Sequence, residues 1–332
     1  AFAPNVGVGL LDATICDLYL VDDSGSLIGR PILTACIDAY SGLSCGYNVS
    51  FVGGNYSLRG LMLNVITDKV AHCKKYGITI EKTDWNCDKL PGTLVTDKGT
   101  EYVSENFEQI TELGVSLINL PAYRPDLKGK IEKFFDLVQS AYKKHLKGKG
   151  VIEPDFRERG AHDYRKDACL TLKEFETIVL HCIIYYNTKL LLENFPFTED
   201  MLKAQVKPFA NCIWNYQLES LGSNLISVTT ENLILTLLPR TNATFSRKGL
   251  KANGLRYKCE GFTERFLSGG TVVVAYNPED CGTVWLCEKG TFTPFELLES
   301  RFAGKSIAAV QQMKDMQREI TKAASIDALQ AQ

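Results

Sequence analysis

The sequence predicts a mixed α/β sheet flanked by helices, followed by a small all-β barrel and a C-terminal helical arm. Three observations carry this prediction. Apolar strand-like runs joined by short turns fill the first fifty residues. Helices and single short strands then alternate, as expected for a sheet covered by helices. Beyond about Pro208, short β-type runs separated by turn residues take over, the pattern of a small barrel or sandwich. The expected organisation is 1–207 for the sheet domain, 208–302 for the barrel and 303–332 for the arm.

Taken in order, residues 6–21, "VGVGLLDATICDLYLV", read as an apolar strand ending in the turn "DDSGS" over 22–26. "RPILTACIDAYSG" and "SCGYNVSFVGG" follow as two more strands, completing a three-stranded meander. Residues 57–76 carry Leu58, Leu61, Met62, Val65, Ile66 and Val70 at helical spacing. "GTLVTD", 92–97, is a short buried strand, 106–113 a helix, "VSLINLP" a strand and 131–146 a strong helix. Residues 147–167 are polar and charged, an excursion from the fold. Thr171 and Glu174 in "TLKE" form a capping-box pattern that opens a helix running to about Tyr186. In the second half, "NLISVT", "NLILTLLP", "NATFSRKGLKANGLRYKC", "GGTVVVAYNPED" and "GTVWLCEKGTF" read as β runs. Residues 305–326 form a polar helix with few large apolar side chains, suited to an arm rather than to core.

Bulk properties narrow the function. The 332 residues suffice for one large or two medium domains, and 45% hydrophobic with 23% charged residues is a globular balance. A formal net charge of -2 excludes a generic polyanion binder, so any nucleic-acid surface must be local. Eleven cysteines lie without CxxC pairs, several inside apolar runs, which points to buried reduced thiols in the cytoplasm. There is neither a membrane-length apolar run nor a signal-type start, so no membrane partner is expected. The chain enters a strand almost at once, which suggests that domains precede it.

Three acids stand at comparable places. Asp12 interrupts the first strand, Asp97 ends a buried strand, and Glu132 opens the long helix. Strand ends and nearby helix termini are where α/β sheets form sites. Singly, each has an ordinary reading: Asp12 a hydrogen-bonded turn residue, Asp97 turn chemistry before Lys-Gly, Glu132 a charge favoured by the helix macrodipole. Asp17, Asp22, Asp23, Asp38 and Asp126 read as structural acids, with Asp38 a plausible neighbour of the site. The four histidines show no ligand spacing, and Trp85, Trp214 and Trp285 read as packing anchors.

As a set, the segments "LLDAT", "LVTDKGTEYVSENF" and "YRPDLKGKIEKFF" resemble the three signature segments of the DDE transposase and retroviral integrase superfamily, in the style of phage Mu-type and TnsB-type transposases. "DATICDLYLVDDSGSLIGRPILTACIDAYS" and "LLPRTNATFSRKGLKANGLRY" share that style, so the resemblance covers about residues 9–302. It implies an RNase H-like catalytic fold with Asp12, Asp97 and Glu132 as catalytic, metal-binding triad. Hard carboxylates suit two Mg2+ ions, with Mn2+ able to substitute, clamping an in-line displacement at phosphorus. The implied reaction is cleavage at transposon 3′ ends, then transfer of the 3′-hydroxyl into target DNA. A nuclease that only hydrolyses and a non-catalytic DNA-binding assembly subunit are the competing readings.

With the triad in place, Lys98, Tyr123, Arg124, Lys128 and Lys130 become candidate phosphate contacts, with Lys133, Lys143 and Lys144 weaker ones. In the barrel, Arg240, Arg247, Lys248, Lys251, Arg256 and Lys258, interleaved with Phe245 and Tyr257, suit backbone binding to double-stranded DNA. The resemblance further implies a bacterial cytoplasmic, nucleoid-associated protein that works as a homo-oligomer on paired DNA ends. It also implies an AAA+ ATPase target selector as a possible partner, for which the C-terminal arm is the candidate contact.

Overall fold

The computed structural model describes residues 3–96, 105–119, 129–157, 162–219 and 222–330. These form two compact units, Ala1–Leu233 and Ile234–Gln332. The first unit contains, in chain order, β1 (Val8–Ile15), β2 (Leu20–Val21), β3 (Leu27–Gly29), β4 (Ile32–Asp38), β5 (Ser44–Ser50), α1 (Asn55–Ile66), α2 (Lys69–Lys75), β6 (Leu90–Pro91) and β7 (Thr93–Thr96). It continues with α3 (Glu105–Glu108), β8 (Ser116–Asn119), α4 (Gly129–His145), α5 (Leu172–Lys189), α6 (Glu199–Lys203), α7 (Ala210–Glu219), β9 (Leu225–Ile226) and the first half of α8 (Thr230–Leu237).

The main sheet has the order β5-β4-β1-β7-β8. The β4 strand is antiparallel to both β1 and β5, whereas β7 is parallel to β1 and β8 to β7. This is the RNase H-like arrangement that the resemblance implies: a meander, then parallel strands reached through helices. Its central strand, β1, is covered on both faces, so Leu10 and Leu11 are both buried.

The sheet's two faces can be assigned from side chains. Thr34 is bonded to Ser57 of α1, and Gly46 leaves no room for a Cβ beneath Val65 of α1. Those positions, with Ala13 and Cys36 in register beside them, face α1. The alternate row, Asp12–Ala35–Tyr47, faces the other way, where the Tyr47 hydroxyl reaches Glu176 of α5 at 3.4 Å. The α4 helix packs beside α5, with Phe134 edge-on to Tyr186 at 4.9 Å.

Several sequence expectations need correction. The strand expected over 6–21 ends at Ile15, because the chain leaves β4 to bridge Leu18 to Val151, then forms the β2–β3 hairpin. Asp22 makes that hairpin turn by accepting from the Ser24 and Ser26 amides. Residues 150–152 are therefore buried rather than part of a free excursion: Tyr19 donates to Gly150 and Ile152 to Asp17. The helix expected over 57–76 breaks at Thr67, and Asp68 caps α2 by accepting from the Ala71 amide at 2.7 Å. "NLILTLLP" is helical, not extended; Thr229 caps α8 through the Asn232 amide, and a short apolar run does not distinguish the two states by itself. The capping box at Thr171 and Glu174 forms as expected.

The second unit is a closed six-stranded barrel, β10 (Arg240–Ser246), β11 (Gly249–Ala252), β12 (Leu255–Lys258), β13 (Gly270–Asn277), β14 (Asp280–Glu288) and β15 (Thr291–Leu297), in the order β10-β11-β12-β15-β14-β13. Closure removes exposed strand edges. Phe245, Leu250, Tyr257, Leu286 and Phe295 fill its interior, and α9 (Thr263–Ser268) adds Phe266 against Phe245. The arm is α10 (Ile307–Gln330): Ile307 and Val310 pack in the barrel core, whereas Met316 and Ile320 are 62% and 69% exposed.

One buried cation joins α1 to α2. Lys69 is 2% exposed, and its ammonium donates to the carbonyls of Asn64, Val65, Thr67 and Cys87 at 2.7–3.0 Å. The first three are carbonyls at and just beyond the end of α1, where a helix lacks partners of its own. Replacing Lys69 with Met should lower the unfolding free energy by about 3 kcal/mol, since several buried acceptors lose their donor. Urea unfolding of the variant beside the parent measures this.

Candidate active site

Asp12 sits in mid-β1, paired to Ala35 and half-buried, with the Ala13 amide donating to its Oδ1 at 2.9 Å. That bond limits the rotation of a carboxylate already on the α4–α5 face. On the neighbouring parallel strand the register runs Val8–Thr93, Gly9–Leu94 and Leu10–Val95. Thr96, buried and bonded to Asn119 at 2.7 Å, is the last described residue before Asp97. Asp97 itself, with Lys98, Tyr123, Arg124, Asp126 and Lys128, lies outside the described residues.

Glu132 is exposed in the first turn of α4. Two polar ties fix where that turn falls. At the start of the helix, the Lys130 ammonium donates to the carbonyls of Ala39 and Tyr40 at 2.5 and 3.0 Å. Ala39 follows the end of β4 and donates to the Val8 carbonyl, so this tie lies level with the start of β1. Further along, the Lys143 ammonium pairs with Asp17 at 2.6 Å, and the Gln139 side chain accepts from the Asp17 amide at 3.3 Å. The helix therefore runs in the same direction as β1.

Asp12 and Glu132 thus both belong to the face of the sheet that α4 covers, Asp12 from mid-β1 and Glu132 from the first turn of the helix. Asp17 is structural, as its sequence reading has it: it lies past β1 and is held by Arg30 and Lys143 at 2.7 and 2.6 Å. Lys143 and Lys130 were read as phosphate contacts, and both have protein partners here.

Asp38 holds the platform that Lys130 grips. It is fully buried, and its carboxylate accepts from the Gly7 amide, the Ser41 amide and the Ser41 hydroxyl at 2.7–2.9 Å. Burial pushes its pKa up, opposed by those donors and by nearby Lys130. Gly7 takes φ 111°, and a Cβ there would collide with the Asn224 carbonyl, so the close approach requires glycine.

In the barrel, the basic residues do not form one stripe. Arg247 and Lys248 occupy the exposed β10–β11 turn, and Lys251 and Arg256 are exposed directly opposite each other on β11 and β12. Lys258 faces Glu296 across β12–β15, and Arg240 starts β10 opposite Ala275. Phe245 and Tyr257, expected to interleave with the cations, point inward as core, 3% and 0% exposed. Like charges directly opposed on a sheet are unfavourable. The Lys251–Arg256 pair is thus a local concentration of charge that folding alone does not favour.

Known proteins share both regions. Residues 10–148 match the family described as TnsB C-terminal domain, and residues 235–293 that described as Mu transposase, C-terminal. The chain is 31% identical over 293 residues to the Tn7 transposition protein TnsB of Escherichia coli, covering 83% of this chain and 41% of that protein. Both regions are thus similar in sequence to TnsB-type and Mu-type transposases. It is also 26% identical over 276 residues to the transposase for transposon Tn552 of Staphylococcus aureus, 82% of this chain and 50% of that protein. The chain thus spans half or less of the length of these curated relatives. Among solved structures, a simian T-cell lymphotropic virus intasome bound to PP2A regulatory subunit B56 gamma aligns with 92% of this chain and 80% of its own, at 12% identity and TM-score 0.39. The catalytic core domain of BIV integrase aligns with 64% and 95%, at 12% identity and TM-score 0.33. The first matched region contains Asp12, Asp97, Glu132 and both ties of α4. The second contains Arg247, Lys248, Lys251 and Arg256.

Proposed function

We propose that this chain is the catalytic core and barrel of a DNA transposase that cuts at transposon 3′ ends and joins the resulting 3′-hydroxyl to target DNA. The observation that carries the reading is that Asp12 lies on the sheet face covered by α4, whose first turn, tied to the sheet by Lys130, carries Glu132. Asp97, the residue after buried Thr96 at the end of β7, completes the acid set by its place in the sequence.

These donors suit Mg2+ or Mn2+: they are hard carboxylate oxygens, one on a half-buried strand and one on an exposed helix start. Asp12, Asp97 and Glu132 would hold two such ions. When bound, the ions supply an activated water or hydroxyl and offset charge developing at phosphorus. The protein's part is positional. The Ala13 amide orients Asp12, the central strand fixes its height, and α4 delivers Glu132 to it. Arg247, Lys248, Lys251 and Arg256 would hold the DNA backbone through phosphates, without reading sequence. Lys98, Tyr123, Arg124 and Lys128 flank the acids in sequence and are proposed to touch phosphates near the scissile bond.

The reading extends to a homo-oligomer on paired ends, working on the bacterial nucleoid. The exposed stretch of α10 over residues 311–325 is the proposed contact for an AAA+ ATPase target selector.

Replacing Glu132 with Ala should abolish both end cleavage and transfer of a pre-cut 3′ end, with DNA binding retained. Strand transfer that persists in this variant overturns the assignment, and cleavage without transfer by the parent identifies a hydrolase instead. For the barrel, the Lys251→Ala, Arg256→Ala double variant should weaken DNA binding. It should also reduce the slope of log affinity against log salt by about 2. Its melting temperature should not fall, because the opposed like charges are removed. An unchanged salt slope excludes these two residues as phosphate contacts.

A further inference from the structure

We infer that Lys130 is a positioning residue for the metal-binding carboxylates rather than a DNA contact; this rests on the proposed function of Asp12 and Glu132. A cation in the first turn opposes the helix macrodipole, so local helix energetics do not explain a lysine at this position. Its ammonium is instead directed back to the sheet, onto the adjacent Ala39 and Tyr40 carbonyls.

The acceptor of that grip is unusually well fixed. Asp38, fully buried, ties the segment to Gly7 on one side and to Ser41 on the other. Leu43 donates from its amide to the Ser41 hydroxyl oxygen, and Asp38 donates from its amide to the Leu43 carbonyl. The Tyr40 ring lies edge-on to Phe195 at 5.4 Å, and its hydroxyl accepts from Gln217 at 3.2 Å. Tyr40 also reaches the Met201 sulfur at 3.8 Å. Turn 39–41 is therefore held from β1, from its own backbone and from the α6–α7 side.

Lys130 links this fixed turn to the helix turn that carries Glu132, two residues away. The Lys143–Asp17 pair holds the same helix three turns later, between side chains that are 34% and 38% exposed. Lys130 is exposed as well, so neither tie is strong alone. Buried Ile131 and Phe134 hold the start of α4 to the sheet. Without Lys130 that start loses the directed bonds that fix its position there, and with them the placing of Glu132 relative to Asp12. A residue acting this way changes how well the acids share a cation while leaving DNA affinity alone.

The test uses the complete chain, with Lys130→Met and Lys130→Arg variants and Mn2+ as the probe. Direct Mn2+ binding, followed by electron paramagnetic resonance without DNA, should weaken about ten-fold in Lys130→Met, the lower end of what supporting residues contribute at metal sites. Lys130→Arg, which can still donate to both carbonyls, should recover most of the loss. Affinity for double-stranded DNA and its salt slope should be unchanged in both variants. Unaltered Mn2+ affinity in a folded Lys130→Met protein overturns the inference, as does a salt slope smaller by about 1, which identifies a phosphate contact. Should Lys130→Met not fold, Lys130→Arg decides: it must bind Mn2+ as the parent does. Absence of Mn2+ binding by the parent removes the proposed site itself, and is thereby distinguished from failure of the Lys130 role.

Discussion

The arrangement of the acids depends on how one helix is fastened. The α4 helix runs in the direction of β1, and Lys130 near its start and Lys143 near its end take protein oxygens as partners. The apolar residues of α4, Ile131, Phe134, Phe135 and Val138, bury it against the sheet and α5. Apolar burial supplies most of the attraction, but it is non-directional and tolerates sliding along the strand. Directed bonds from Lys130 and Lys143 remove that freedom. Those bonds set where the first turn of α4, and Glu132 with it, falls on the sheet face that carries Asp12.

Much of this was legible in the sequence. Asp12 stands out because an acid amid "GLL" and "ATIC" is unfavourable in a buried strand without a purpose. The meander, the mixed sheet flanked by helices and the barrel followed from apolar runs and turn residues, and the capping box at Thr171 from its spacing. What the sequence hid were partners distant along the chain. Nothing local to Lys130 signals that its ammonium meets carbonyls ninety residues earlier, nor that Asp17 meets Lys143. The same limit explains "NLILTLLP": four leucines and an isoleucine fit a strand or a helix, and the Thr229 cap decides.

The barrel shows the converse case. Its sequence suggested a continuous basic stripe with aromatic residues between the cations. Alternation through closed strands separates them, sending Phe245 and Tyr257 inward and Lys251 and Arg256 outward. Stacking on bases is thus not available to these rings, whereas opposed cations on the outer surface match a phosphate backbone. Charge and hydrophobicity were both read correctly as composition; only the strand register assigns each to a surface.

The central claim is that Asp12 and Glu132 face a common cation on the side of the sheet that α4 covers. Crystals of the chain soaked in Mn2+, with anomalous diffraction collected at the manganese edge, test it most directly. The account predicts an anomalous peak bonded to carboxylate oxygens of both Asp12 and Glu132, with Lys130 still on the Ala39 and Tyr40 carbonyls. Manganese bound elsewhere, or bound to Asp12 with Glu132 turned away, would contradict it.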